Sequence, residues 1–259
     1  MHPDWLTPQW PAPRHVGAKC TSRAGGRSVG PFESLNLGDH VGDNPFAVGA
    51  NRALLHEAIA ARPVFLSQVH SIGVVELSRG TAHGTEADAC ITTERGVACT
   101  IMVADCLPVL FTDEQGRFAA AAHAGWRGLA GQAGIGVLES VSHHFLTPAL
   151  GRRAQVAART LAWLGPCIGP DAFEVGPEVK AAFEVHDPMA VACFKPAAGG
   201  KWLADLPALA RQRLRALGVT QIFGNDSSPS WCTVRNPLRF FSHRRDRVSG
   251  RMAACVWLA

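Results

Sequence analysis

Apolar positions along the chain follow two rhythms. The runs "PVFLSQVHSIGVVEL" (63–77) and "VACTIMVADCLPVLFTD" (97–113) are rich in β-branched residues and too interrupted for helices, so they predict strands. The small-residue run in "RFAAAAHAGWRG" (117–128) predicts another strand, ending at His123 and broken at Gly125, with "GWRG" turning into a helix. Helical spacing appears where Asn44 and Pro45 open "NPFAVGANRALLHEAIA" (44–60). It recurs after Gly128, with Ile135, Leu138, Val141 and Phe145 inward. Asp205 caps "DLPALARQRLRALG" (205–218), whose Leu206, Ala210, Leu214 and Leu217 share a face before Gly218 stops it. The stretch around 147–157 reads as a connection, and no repeat period is visible. Short strands mixed with moderate helices predict an α/β or α+β architecture with mixed sheets.

This pattern puts polar residues at strand exits. Asp105 and Cys106 follow one apolar run and His123 closes another; the turn after His123 offers backbone N–H groups and the Arg127 guanidinium, a suitable anion cradle. His70 follows an alternating segment, with Gln68 two residues earlier on the same strand face. Two chemistries fit these residues. Two imidazoles and a thiolate, from His70, His123 and Cys106, would hold zinc with a fourth position left for water or substrate, as catalysis requires. Alternatively Cys106 is a nucleophile activated by His123, with Asp105 or Asp88 orienting the imidazole. Spacing along the chain does not separate them.

Composition narrows the setting. The chain has 259 residues, 47% hydrophobic and 18% charged, enough for a large core. The start, "MHPDWLTPQWPAPRH", lacks a basic segment followed by an apolar one, and nothing later approaches a membrane-spanning run, so a cytoplasmic protein without a membrane partner is expected. Its eight cysteines include no C-x-x-C pair and are expected to be reduced and mostly buried. Six arginines and one aspartate fall between Arg235 and Arg251, so the net charge of +4 is a local patch. Such a patch suits phosphate groups; nucleic-acid binding would need a wider basic face or a recognisable module, and none is expected.

The segments "TSRAGG", "SLNLGDHVGD", "SQVHS", "EADACITTERGVACTIMVADCLPVLFTD", "AAAAHAGWRGLAGQ", "GPCIGPDAFEVGPEV" and "FFSHRRDRVSGRMAACVWL" together resemble the successive motifs of the YfiH/YlmD laccase-domain family, from about Thr21 to Leu258. The resemblance implies a single four-layer α/β/β/α domain with mixed sheets, related in shape to a toxin cysteine deamidase. That domain would span residues 21–259, with residues 1–20 an N-terminal extension that is part of it or partly flexible. It implies a zinc triad carried over to His70, Cys106 and His123, with copper able to substitute. It also favours substrate or phosphate contacts from Arg23, Gln68 and Arg127, and supporting roles for Asp88 and Asp105. The chain departs from the family pattern at Ser71, where glycine is common, and at Arg247 and Ser249, which replace glycine and threonine; it also lacks tyrosine. These departures bear on substrate preference more than on metal binding.

The implied activity is zinc-dependent purine nucleoside phosphorolysis, on adenosine, inosine and methylthioadenosine, with adenosine deaminase activity. His70, Cys106 and His123 would be its catalytic centre, and its partners a nucleoside and phosphate. A second reading is an editing hydrolase or amidase that removes a wrongly incorporated amino acid from a nucleotide-linked cell-wall precursor. A third is copper-dependent polyphenol oxidation. Several coppers need several H-x-H pairs, and this chain has none. The H-x-E and P-C-x-x-C signature of nucleobase deaminases is absent too, so deamination would need a different set of groups.

Overall fold

Apolar runs too short for helices pair into strands in the computed structural model, which describes residues 2–147 and 152–259. In chain order the strands are β1 (Val16–Cys20), β2 (Arg62–Phe65), β3 (Val74–Glu76), β4 (Ala89–Thr92), β5 (Val97–Val103), β6 (Leu107–Asp113), β7 (Ala119–Ala124), β8 (Thr160–Leu164), β9 (Glu174–Val175), β10 (Phe194–Pro196), β11 (Trp202–Ala204), β12 (Gln221–Gly224) and β13 (Met252–Leu258). The helices are α1 (Pro45–Ile59), α2 (Trp126–Ala130), α3 (Val137–Leu146), α4 (Arg153–Arg159), α5 (Pro177–Glu184), α6 (Leu206–Ala216) and α7 (His243–Asp246). None of them is long and apolar enough to cross a membrane.

Two mixed sheets carry the fold: one of order β1-β13-β5-β2 and one of order β12-β8-β6-β7-β4-β3, with a small third sheet, β10-β11-β9. Inner side chains of the two large sheets share one core, in which Cys99, Ile101 and Val256 meet Cys90, Leu110, Ala121 and Trp163. The outer face of the six-stranded sheet packs on α3 and α6 through Leu138, Val141, Leu209 and Leu214. On the far side, Leu55 and Ile59 of α1 cover the four-stranded sheet. The result is the four-layer α/β/β/α arrangement. Because the central strands β5, β6 and β7 are buried on both faces, they read as continuous apolar runs instead of alternating ones. The alanines of β7 leave room for close approach of the layers: the Cys99 thiol, from the opposite sheet, donates to the Ala119 carbonyl at 3.3 Å.

The expected caps are in place. Asn44 accepts from Phe46 N–H and Asp205 from Ala208 N–H, each at 2.9 Å, satisfying donors that the first helical turn leaves free. Other expectations change. Ile135 lies before α3 and is 53% exposed, while Leu217 falls after α6 and is half-buried, with Leu209 taking the inward position. The stretch 147–157 is more than a connection, since α4 begins at Arg153; residues 148–151 lie outside the described residues. At the other end of the chain, Val16–Cys20 pairs with β13 along its whole length.

The run 63–77 is two short strands separated by a loop, so Gln68 and His70 do not share a strand face. Both ends of the Gln68 amide pair with the Met102 backbone at 2.8 Å, donating to its carbonyl and accepting from its N–H. The side chain thereby stands in for a ladder partner beyond the end of β2, freeing the backbone to turn.

Candidate active site

Chain crossings between the two large sheets build the site. β5 belongs to the four-stranded sheet and β6 to the six-stranded one, so the turn at 104–106 is a corner, and it carries Cys106. The loop from β2 to β3 makes the same crossing and carries His70. His123, near the end of β7, is held opposite Pro108 in the β6–β7 ladder. The donor atoms of His70, Cys106 and His123 therefore meet within 4.8 Å of one another. Cys106 Sγ lies 3.6 Å from His70 Nε2, and the two imidazole rings meet edge to face at 4.8 Å.

Asp88, fully buried just before β4, organises two of the three. Its carboxylate accepts from the Val69, His70 and Ser71 backbone N–H groups at 3.1, 3.0 and 2.6 Å, from the Ser71 hydroxyl at 2.9 Å, and from His123 Nδ1 at 2.8 Å. Three successive N–H groups converge on one anion because His70 takes a left-handed backbone, with φ of 62°, forming a nest. Burial alone would raise the Asp88 pKa, but the bonds from His123 and Ser71 outweigh it and hold the carboxyl below its usual value. With Nδ1 committed, His123 turns Nε2 toward the other two donors. Asp105 organises the third donor. It has φ of 93°, and its carboxylate accepts from Thr233 Oγ1 and Arg244 N–H, both at 2.6 Å, while its carbonyl accepts from Ile168 N–H at 2.9 Å. Three distant segments thus fix the corner that presents Cys106.

The thiol and imidazole are poised as an ion pair. Burial favours the neutral thiol, but the charges and hydrogen bonds of His123 and His70 bring Cys106 down to about 6. His123, which burial would lower, is raised to about 9 by the Cys106 thiolate and by Asp88. Gly125 is required beside them, since a Cβ there would stand 2.8 Å from His70 Cδ2 and 3.0 Å from Cys106 Sγ.

Two imidazole nitrogens and a thiolate suit a tetrahedral zinc ion, whose ligand atoms lie about 3.3–3.6 Å apart given bonds of about 2.0 Å to nitrogen and 2.3 Å to sulfur. The 3.6 Å spacing of Cys106 and His70 agrees with this. Asp88 on His123 supplies the carboxylate that orients a metal-bound imidazole.

A cavity of about 440 Å3 opens above these donors. Gln68, Asp105, Trp126, Arg127, Phe173, His243, Arg244, Arg247, Arg251 and His40 contribute to its wall. The "GWRG" turn opens the five-residue helix α2, whose first backbone bond is from Leu129 N–H to the Gly125 carbonyl, and Arg127 stacks on the Trp126 ring at 4.5 Å. Trp126, Phe173 and His40 were not among the residues singled out from sequence. A tryptophan between Gly125 and an exposed arginine was the available signal for the first; His40 and Phe173 gave none.

Arg23 is not in this wall. Its Nε donates to the Glu33 carbonyl at 2.9 Å and its Nη1 to the Pro237 carbonyl at 2.8 Å, with the guanidinium 4.8 Å from the Phe241 ring centroid. It braces two loops, because those carbonyls have no strand partners to satisfy them. Arg23→Ala should therefore lower stability by about 1–3 kcal/mol through loss of charged hydrogen bonds, while metal uptake at His70, Cys106 and His123 stays within about twofold of wild type. Denaturant unfolding alongside metal titration checks this. Arg245 is likewise committed, to the carbonyls of Thr233, Val234 and Phe240.

Comparison with known proteins places this geometry in context. Residues 17–259 match the family described as multi-copper polyphenol oxidoreductase laccase. A purine nucleoside phosphorylase of Pseudomonas aeruginosa is 48% identical over 255 residues, covering 98% of both chains. The purine nucleoside phosphorylase YfiH of Escherichia coli is 47% identical over the same length, again covering 98% of both. A crystal structure of a Neisseria meningitidis protein superposes with a TM-score of 0.87 at 44% identity, covering 98% of this chain and 99% of that one.

Proposed function

This chain belongs to the multi-copper polyphenol oxidoreductase laccase family, and from that premise we propose that it is a zinc-dependent purine nucleoside phosphorylase that also deaminates adenosine. The observation that carries this reading is the union, in one cavity, of the His70–Cys106–His123 donor set with four arginines and two aromatic rings. The names of the relatives support the same substrate class. Among the described residues one cluster brings three such donors together, whereas multi-copper oxidation draws on several metal sites.

In phosphorolysis a phosphate oxygen forms a bond to the ribose C1′ as the bond from C1′ to the purine nitrogen breaks. The base leaves with that electron pair and takes up a proton, giving ribose 1-phosphate. The chain must hold an anion, offer a face to the purine, and position both. Arg127, Arg244, Arg247 and Arg251 supply positive charge along the wall, and Trp126 and Phe173 offer flat apolar surfaces to a base. Zinc held by His70, Cys106 and His123 would supply Lewis acidity. Asp88 keeps the His123 imidazole oriented whichever substrate is present.

Incubating the metal-replete protein with adenosine or inosine, with and without phosphate, tests this. Ribose 1-phosphate should form only when phosphate is present, ammonia should appear from adenosine, and chelation should abolish both until zinc is restored. Neither product from the zinc-loaded protein would sink the proposal; an amino acid freed instead from a cell-wall precursor would point to the editing hydrolase.

A further inference from the structure

One wall of the cavity carries an excess of positive charge. Arg127, Arg244, Arg247 and Arg251 all line it, and none forms an ion pair among the described residues. Asp105 is the carboxylate in that lining, and both its oxygens already accept hydrogen bonds. Arg244 and Arg251 spend part of their guanidinium capacity on backbone carbonyls, of Glu174 and of Ser249 and Gly250 respectively. Arg127 makes no side-chain hydrogen bond either, but its guanidinium stacks on the Trp126 ring. Arg247 has neither: among the described residues its side chain makes no hydrogen bond and stacks on no ring, and it is exposed where it lines the cavity.

Its backbone is also unusual. Arg247 has φ of 63° and ψ of −58°, and Val248 N–H donates to the Asp246 carbonyl at 2.7 Å across it. That is a γ-turn of the rare, strained kind, in which a side chain crowds the backbone and glycine sits without cost. A long cationic side chain stands at this position with no partner among the described residues, facing a cavity lined by three further arginines. Strain of this sort persists where the surrounding structure and a function hold it.

We propose that Arg247 is the phosphate-selecting residue of the site: its γ-turn closes the arginine wall over the cavity and captures the inorganic phosphate that attacks the nucleoside. The inference rests on the phosphorolysis reading and adds which residue sets the affinity for the second substrate. A guanidinium meets a phosphate with two parallel hydrogen bonds, so an arginine there does more than contribute net charge.

The test is calorimetric titration of the zinc-loaded protein with inorganic phosphate, and separately with inosine 5′-phosphate, using wild type, Arg247→Gly and Arg247→Lys. Arg247→Gly should weaken inorganic phosphate binding at least tenfold and raise the KM for phosphate by a similar factor. Arg247→Lys should recover part of the affinity. The melting temperature of Arg247→Gly should equal or exceed that of wild type, because glycine relieves the turn, so lost binding is not lost folding. Equal phosphate affinity in wild type and Arg247→Gly, no phosphate binding by wild type, or a loss confined to inosine 5′-phosphate would each overturn the inference. If Arg247→Gly loses phosphate binding but wild type makes no ribose 1-phosphate, the anion site stands and phosphorolysis fails. If phosphorolysis proceeds with an unchanged phosphate KM in Arg247→Gly, the reverse holds.

Discussion

Single replacement of His70, Cys106 or His123 by alanine should give three folded proteins that have lost zinc and turnover together. Each residue supplies one of the three donor atoms gathered within 4.8 Å, and two protein ligands hold zinc far more weakly than three. Cys106→Ser should fall between wild type and Cys106→Ala in metal affinity, since a neutral hydroxyl is a much poorer ligand than a thiolate. His70 separates the two chemistries read from the sequence. A Cys106 nucleophile with His123 as base leaves His70 only the lesser part of a second hydrogen bond to the thiolate, behind that of His123, whereas the zinc site makes His70→Ala about as damaging as His123→Ala. Elemental analysis, circular dichroism and product assays on the three variants decide it. A His70→Ala protein that turns over near the wild-type rate would overturn the zinc mechanism and return the chemistry to Cys106 and His123.

The second large effect is expected at Asp88, which touches no substrate. Its carboxylate accepts five hydrogen bonds, four from Val69, His70 and Ser71 and one from His123. Asp88→Asn keeps the shape but turns an NH2 group toward donors, leaving buried N–H groups unpaired. It should weaken zinc binding by about 10–100-fold, the usual effect of losing a carboxylate behind a metal-bound histidine, and should lower stability as well. The stability difference has a definite pH dependence in metal-free protein. The Asp88 pKa is depressed in the folded state, so its contribution is fully present above the ordinary carboxylate value of about 3.9. It is lost as pH falls further through the folded-state value. Wild type and Asp88→Asn should thus converge in stability at low pH and separate above it. A gap independent of pH would show that folding does not shift the Asp88 pKa.

Much of the site was legible in the chain because it depends on residue chemistry at strand ends. Cys106 and His123 follow apolar runs that can only be buried strands, and the caps at Asn44 and Asp205 follow from local hydrogen bonding. Those signals act within a few residues. The nearness of His70, Cys106 and His123, the four layers and the mixed sheets were already implied by the resemblance of ordered motifs spanning most of the chain.

Contacts between segments far apart in sequence were decided only by tertiary structure. Gln68 looked like a neighbour of His70 on one strand, yet its amide completes the edge of β5 through Met102, and the loop beyond it bends around Asp88. Arg23 had the composition of a phosphate ligand, but two carbonyls without strand partners, one of them more than two hundred residues away in the chain, claim its guanidinium. His40, Phe173 and Arg251 reach one cavity because two sheets stack and their corner turns open at the same end. Which residues could bind a metal or an anion can be read along the chain, since donor chemistry belongs to the side chain. Which of them face the same space was settled by sheet crossings and by the need of every buried N–H and carbonyl for a partner, a constraint satisfied over the whole fold at once.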